Sequence, residues 1–222
     1  MIKRILFLAL SLNIVIHCES EAQASFGVRQ GVVFSQVLFD DVDIQFNTDV
    51  PQRQKQGNVT GIIFKYFAQP NIGIQAELNI IEKGWIQKLD DGKEFETTLN
   101  YLQLPLLTHL YIGKGKFKPI LLAGPYFSML YDSKRSAIQD DQKEQIKFQY
   151  SESEDNQYEF GISGGLGLAF DSSIGTFQVD VRFSPGLTNI LNKDAEMNPT
   201  SSKNQLLEFS ASYLFRFSKK DK

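Results

Sequence analysis

The stretch from Phe177 to Ser184 alternates without a break between apolar and polar residues. It reads FQVDVRFS, so the apolar side chains share one face and the other face carries Asp180 and Arg182. A period of two is the repeat of an extended β-strand, in which successive side chains point to opposite sides. This segment therefore predicts a strand with one apolar face and one charged face.

Similar alternation recurs along most of the chain, and it is interrupted by turn-forming residues. No helical period extends beyond two turns, so the sequence predicts an all-β fold with eight strands. The predicted strands cover residues 25–39, 59–67, 72–87, 95–112, 117–131, 158–170, 176–187 and 206–217.

Short and long links between these strands alternate. The tight links are residues 68–71, 113–116 and 171–175. The longer links are residues 40–58, 88–94, 132–157 and 188–205. In an up-and-down barrel this alternation places every tight turn at one end, as in outer-membrane barrels with short periplasmic turns and long extracellular loops. The predicted fold is an eight-stranded antiparallel up-and-down transmembrane β-barrel over residues 25–217.

The first residues have the features of a secretory signal peptide. Lys3 and Arg4 precede an apolar run, and an A-x-A cleavage site ends at Ala24. The apolar run is too short for a transmembrane helix. We therefore expect a signal peptide over residues 1–24, cleavage between Ala24 and Ser25, and export.

Alternation alone leaves a second architecture open. A soluble, exported lipocalin-like barrel that binds a small apolar ligand would also alternate, with its apolar face inside and its charged face outside. The signal peptide, the alternation of link lengths and the aromatic residues near the C-terminus favour the membrane barrel and the bacterial outer membrane.

Composition excludes several chemistries. The formal net charge of −3 gives no basic surface for nucleic acid. Removal of residues 1–24 takes away the single cysteine and leaves His109 as the only histidine, which excludes cysteine–histidine and multi-histidine metal sites. We predict no catalytic residue, cofactor or metal. The enzymatic alternative would require His109 to act with acidic residues near the loop rim.

Polar residues on the non-lipid face of the strands predict a network inside the barrel. Its expected members are Arg29, Glu77, Gln103, Glu159, Asp180, Arg182, Glu208 and Arg216. Such a set could form a gated ion path or an acid–base site. Mutual pairing is favoured, because charges removed from water are costly unless they are paired and these residues carry both signs.

The last predicted strand carries an aromatic row. Tyr213, Phe215 and Phe217 alternate with polar or smaller residues, and a short charged tail follows at residues 218–222. A row of this kind at the end of the last strand is expected to be the signal that the outer-membrane assembly machinery reads.

Several segments resemble the PorT-type outer-membrane β-barrel proteins of Bacteroidota. The most specific are YLQLPLL, beginning at Tyr101, and LLAGPYFS, beginning at Leu121. The others are FGVRQGVVFS, IGIQAELNIIEKG, YEFGISGGLGLAF and the terminal SASYLFRF, and together they span nearly all of the predicted mature chain. The resemblance implies an eight-stranded outer-membrane barrel without catalytic residues. It connects the chain only loosely to protein secretion.

These observations predict a non-catalytic integral outer-membrane protein with a structural, binding or secretion-accessory role at its extracellular loops. Its expected partners are outer-membrane lipid and lipopolysaccharide, the assembly machinery during biogenesis, and an unidentified envelope protein. Nucleic acid is not an expected partner.

Overall fold

The computed structural model describes residues 23–40, 52–88, 94–137, 155–192 and 201–216. These residues contain eight strands, as the alternation predicts. The strands are β1 (Gln23–Asp40), β2 (Gln52–Phe67), β3 (Ile72–Lys88), β4 (Glu94–Tyr111), β5 (Phe117–Ala137), β6 (Tyr158–Asp171), β7 (Thr176–Pro185) and β8 (Ser201–Arg216). Within these ranges there is no helix long and apolar enough to cross a membrane.

The strands close into an antiparallel barrel in which each strand pairs with its neighbours in sequence and β1 also pairs with β8. The predicted eight-stranded up-and-down barrel is confirmed. The paired residues that begin at Gly31 can be followed around the barrel in either direction to β4. Through β2 and β3 they lead to Tyr101, and through β8, β7, β6 and β5 they lead to Tyr111. This stagger along β4 means that the strands tilt, as closure of a barrel requires.

Two predicted strand ends fall at bulges. β2 begins at Gln52, and the predicted start at Val59 coincides with a register shift against β3. β5 continues past Tyr131, where the register against β4 shifts. In β5 the extra residue of the bulge interrupts the alternation. In β2 the alternation of buried and exposed residues continues through Val59, but residues 52–58 read QRQKQGN and contain no apolar side chain, so the sequence pattern stops although the ladder continues.

The two faces of the sheet have opposite character. The outward residues are mostly large and apolar, such as Ile80 and Leu166, which are 56% and 64% exposed. The inward residues include buried arginines, lysines and carboxylates. This is the arrangement of a membrane barrel. The soluble lipocalin-like alternative requires the opposite one.

Pro105 and Pro125 lie in strands, and each coincides with an interruption of the ladder. Pairing between β3 and β4 is interrupted between Ala76↔Leu106 and Asn79↔Gln103, where Pro105 lies. Pairing between β4 and β5 is interrupted beside Pro125. Because proline has no backbone N–H to donate, these interruptions explain how both strands accommodate it.

Three tight connections lie at the end of the barrel where β2, β4 and β6 finish. The β4–β5 turn contains Gly113 and Gly115 with φ of +83° and +138°, a region that side chains other than glycine rarely adopt. By the rule for outer-membrane barrels this is the periplasmic end, and the opposite end is extracellular.

Aromatic side chains gather near the periplasmic end. The rings of Phe117 and Phe170 lie 4.6 Å apart, and those of Phe177 and Tyr213 lie 4.9 Å apart. The Tyr213 hydroxyl donates to the Ile174 carbonyl at 2.6 Å, and Phe215 also points outward. Such side chains form the interfacial girdle of membrane barrels. Phe217 and the predicted tail at 218–222 lie outside the described residues.

Candidate functional site

The barrel interior contains most of the buried charges, and its centre is organised around Glu77 on β3. We name Arg29, Glu77, Asp180, Arg182 and Glu208 the central cluster. Glu77 Oε2 lies 2.6 Å from Arg29 Nη1, and Glu77 Oε1 lies 2.9 Å from Arg182 Nη1. Arg29 also reaches Glu208 at 3.2 Å, and Arg182 reaches Asp180 at 2.7 Å. Every member is at most 4% exposed, so these are ion pairs removed from solvent.

Neutral side chains complete the hydrogen bonding of the two most enclosed carboxylates. Gln75 and Asn79, which share the inward face of β3 with Glu77, both donate to its carboxylate, Asn79 at 2.9 Å. Gln178 and Ser210 donate to the carboxylate of Asp180 at 2.7 and 3.0 Å. Lys65 on β2 in turn donates to Gln178.

A second ion pair lies nearer the extracellular end. Lys83 Nζ is 3.0 Å from Glu159 Oε1, and the ammonium lies 4.7 Å from the ring centre of Tyr101. Tyr126 donates to Glu159 at 2.6 Å and Asn204 donates at 2.5 Å. We name Lys83, Tyr126, Glu159 and Asn204 the upper cluster. Its one cation, Lys83, balances its one carboxylate, Glu159.

Above the upper cluster the chain folds back into the barrel mouth. β7 ends at Pro185, and residues 186–192, which we name the strap, continue from it. Ile190 and Leu191 are 3% and 1% exposed and belong to an apolar cluster with interior residues of the strands. The full cluster comprises Val33, Val37, Val59, Ile81, Trp85, Leu99, Tyr101, Leu130, Ile190, Leu191 and Leu206.

Hydrogen bonds hold the strap against β6 and β8. Ile190 N donates to Ser202 O at 2.8 Å, and Leu191 N donates to Ser202 Oγ at 2.8 Å. On the other side Leu187 N donates to Phe160 O at 2.8 Å. Asp155 accepts from Asn192 N at 2.7 Å. The strap therefore replaces the missing upper part of β7 and fills the mouth.

The periplasmic end contains a cavity. A cavity of about 870 Å³ is bordered by the tight turns and by Phe67, Tyr111 and Thr176. Lys118 and Asp171 form an ion pair of 2.8 Å at its edge. Deeper inside, the His109 ring contacts Phe67 and Tyr111, and its Nδ1 lies 2.8 Å from Gln75 Oε1. His109 therefore lies at the opposite end of the barrel from the loop rim.

The structure places the residues expected to form the lumen network in different groups. Arg29, Glu77, Asp180, Arg182 and Glu208 meet in the central cluster. Glu159 lies apart from them and pairs with Lys83. Gln103 is buried on β4, where it is the cross-strand partner of Asn79 on β3. Arg216 is the last described residue, and its backbone pairs with Ser25.

Sequence reasoning missed several interior partners. Lys65, Lys83, Tyr126 and Asn204 are all buried and all contact a predicted or neighbouring polar group. Their inward direction was readable, because each lies an even number of residues from an inward member of its own strand. For example, Lys83 follows Glu77, Asn79 and Ile81 at intervals of two.

The chemistry of this interior is charge neutralisation. Arg29, Arg182 and Lys65 balance Glu77, Asp180 and Glu208, and Lys83 balances Glu159. Among the described residues, no group of three or more histidine, cysteine, aspartate or glutamate side chains could hold a metal ion. The arrangement can hold the strands together and occupy the lumen.

The predicted signal peptide is only partly within the described residues. Residues 1–22 lie outside them, whereas Gln23 and Ala24 are the first residues of β1 and pair with Phe67 and Tyr66. Cleavage after Ala24 would leave Ser25, paired with Lys65 and Arg216, as the first residue of the strand.

Solved structures with a similar fold are outer-membrane proteins. The match to OprG of Pseudomonas aeruginosa has a TM-score of 0.55 at 13% identity and covers 90% of this chain and 99% of OprG. Ail of Yersinia pestis matches with a TM-score of 0.42 at 12% identity, covering 87% of this chain and 99% of Ail. The outer-membrane enzyme PagL matches with a TM-score of 0.32 at 14% identity, covering 87% of this chain and 98% of PagL. At these identities the similarity to OprG shows the fold alone.

No curated protein matches the sequence. The sequence model described as "Outer membrane protein beta-barrel domain" matches residues 19–192, which is most of the chain. The barrel closure, the outward apolar residues and the polar interior agree with that match. The chain belongs to the outer membrane protein beta-barrel domain family, which indicates a location in the bacterial outer membrane.

Proposed function

We propose that this chain is a non-catalytic outer-membrane barrel that acts through its extracellular loops and outer surface as a structural, binding or secretion-accessory component. The observation that carries the proposal is the occupation of the lumen at three levels. The central cluster, the upper cluster and the strap follow one another from the middle of the barrel to its extracellular mouth.

Occupation at three levels argues against passage of solutes. An eight-stranded barrel has an interior just wide enough for its own side chains. Here the side chains that meet across the interior are ion-paired, so a solute would have to separate buried opposite charges to pass. The surfaces left for a partner are the two ends and the lipid-facing outside.

The position of His109 supports the absence of catalysis. The enzymatic alternative requires a histidine near the loop rim, and His109 lies in the periplasmic half between two aromatic rings. Its environment is one of packing and a single hydrogen bond with Gln75.

We further propose that the chain is a PorT-type member of its family and is exported through a signal peptide that is cleaved between Ala24 and Ser25. The two most specific segments of the resemblance, beginning at Tyr101 and Leu121, lie on β4 and β5 and pair with each other in the barrel. Because β4 and β5 are neighbours in the sheet, the two segments form one continuous part of the barrel wall. The proposed partners remain lipopolysaccharide, the assembly machinery and an envelope protein.

Conductance measurements in planar lipid bilayers test the closed lumen. The purified barrel is expected to insert without stable conductance steps. A variant with Arg29→Ala, Arg182→Ala and Glu77→Ala removes the centre of the central cluster and should raise conductance if it still folds. Stable, ohmic steps from the unaltered protein would contradict the proposal.

Chemical crosslinking in intact cells tests the role of the loops. Replacement of residues 138–150 by a glycine–serine linker of equal length should remove crosslinked envelope partners while leaving the amount of folded barrel unchanged. If the set of partners is the same with and without this segment, that loop does not provide the binding surface.

A further inference from the structure

Four neutral polar residues face outward on β1 and β2. Gln30 lies on β1, and Gln56, Asn58 and Thr60 follow one another on the outward face of β2. All four are exposed, and they alternate with the buried residues Lys55, Gly57 and Val59. We name these four residues the polar stripe.

The lower part of the polar stripe lies at the depth of the hydrocarbon layer. Thr60 pairs with Gln30 on one side and with Ile80 on the other, and the same row continues to Leu102 and Met129. Because the strands tilt, each step along this row from β1 to β5 lies closer to the extracellular end. Gln30 and Thr60 therefore lie closer to the periplasmic end than Ile80, Leu102 and Met129. Ile80 is apolar and 56% exposed, and the outward residues Val28 and Ile62 are exposed and apolar on the periplasmic side of Gln30 and Thr60. Gln30 and Thr60 are therefore within the apolar belt.

β2 has fewer outward apolar residues than the strands on the far side. Only Ile62, Phe64 and Tyr66 continue the belt below the polar stripe. On β6, by contrast, large outward apolar residues extend from Tyr158 to Phe170. The barrel therefore has one side on which lipid would meet amides and a hydroxyl.

The amides and the hydroxyl of the polar stripe are not satisfied within the barrel. Among the described residues, the side chains of Gln30, Gln56, Asn58 and Thr60 take part in no hydrogen bond. Elsewhere on the outside, neighbouring amides do pair, since Gln36 donates to Gln205 at 3.1 Å. In hydrocarbon there is no water to satisfy such groups, so a polar side chain that faces lipid is expected to meet a partner.

The chemistry of the polar stripe favours a second copy of this chain as that partner. Amides both donate and accept, and threonine does the same, so the stripe is complementary to itself. A two-fold axis along the membrane normal keeps both copies in the same orientation and brings the same stripe of each copy together, an isologous contact. No charged side chain belongs to the stripe, so this contact brings no like charges together.

We propose that the polar stripe is the contact surface of a homodimer in the plane of the outer membrane, with β2 of one copy against β2 of the other. The contact would satisfy the amides of both copies and remove them from lipid. It is independent of whether the lumen conducts, because it uses only the outer face.

Disulfide crosslinking in isolated outer membranes tests the homodimer. The only cysteine is Cys18, in the predicted signal peptide, so single cysteines can be introduced on a Cys18→Ser background. The test variants are Asn58→Cys and Thr60→Cys. The matched controls are Leu104→Cys and Ile162→Cys, which are 50% and 51% exposed on the lipid-facing surface of β4 and β6. After mild oxidation, the fraction of protein in a reducible dimer should be at least tenfold higher in the test variants than in the controls.

A second measurement does not depend on cysteines. The molecular mass of the unaltered protein in lipid nanodiscs should be that of a dimer, and Gln30→Leu combined with Thr60→Val should shift the population to the monomer. Both substitutions keep an outward side chain of similar size and should leave the barrel folded, as judged by its heat-modifiable electrophoretic mobility.

Three outcomes overturn the proposal. One is crosslinking in the test variants at the level of the controls. Another is a crosslinked species that contains a different protein, which would make the stripe a contact for that partner. The third is a monomeric mass for the unaltered protein in nanodiscs.

Discussion

Glu77 Oε2 lies 2.6 Å from Arg29 Nη1, on strands that are not neighbours in the sheet. The bond therefore crosses the lumen, and it joins β3 to β1 independently of the backbone ladder. Arg182 on β7 approaches the same carboxylate from another side. One carboxylate thus connects three strands, so its removal has consequences beyond a single contact.

Glu77→Ala is expected to destabilise the barrel strongly. It leaves Arg29 and Arg182 buried without their shared partner, and breaking a buried pair in this way typically costs about 3–5 kcal/mol. Denaturant unfolding in lipid vesicles measures this loss. The matched control is Glu94→Ala, whose partner Arg53 is 67% exposed, and a loss of at most about 1 kcal/mol is expected there. Equal losses at both sites would contradict the role assigned to Glu77.

The inward position of these charges was predictable, but their partners were not. Alternation assigns Arg29, Glu77 and Arg182 to one face of their strands, since the side-chain period of a strand is two. The pairing of these charges depends on the tilt of the strands and on the stagger between Tyr101 and Tyr111. Neither can be read from a local sequence pattern. Glu159 was grouped with the central charges for this reason, although the tilt places it beside Lys83.

The burial of the strap was not predicted either, and the reason differs from that for the charge partners. Ile190 and Leu191 are two apolar residues in a polar link, and two residues have no period. Their burial arises from contacts with strands far away in sequence, including Val33 and Trp85. The early start of β8 at Ser201 was also not predicted, because Ser201 to Gln205 is polar on both faces and shows no alternation.

Leu191→Ser should loosen the strap without unfolding the barrel. Leu191 is buried in the apolar cluster with Trp85, the only tryptophan of the chain, so Trp85 fluorescence reports on the mouth. We expect a red-shifted emission and greater quenching by acrylamide. Leu187→Ser is the control, since Leu187 belongs to the same strap but is 49% exposed. Unchanged emission in Leu191→Ser would mean that the strap does not shield Trp85.

Lys83→Met should destabilise the barrel, and Glu159→Gln in addition should recover most of the loss. The single change leaves Glu159 buried without its cation, whereas the glutamine removes the charge. The carbonyl oxygen of the glutamine can still accept from Tyr126, and its N–H can donate to Asn204 once the Asn204 amide is turned over. Unfolding free energies of the two single variants and the double variant form a double-mutant cycle. Additive losses would show that Lys83 and Glu159 do not stabilise each other.

Gly161→Ala and Gly164→Ala, three residues apart on β6, should differ sharply in stability. A Cβ at Gly161 would lie 2.4 Å from the Tyr126 ring, whereas a Cβ at Gly164 would meet nothing within 4 Å. Because Tyr126 donates to Glu159 at 2.6 Å, displacement of the ring would also break that hydrogen bond in the upper cluster. Overpacking of this kind typically costs about 1–3 kcal/mol. We therefore expect a lower unfolding midpoint for Gly161→Ala and an unchanged one for Gly164→Ala. Tolerance of alanine at both positions would mean that Tyr126 is free to move away from Glu159, and the upper cluster would then be a looser arrangement than its distances indicate.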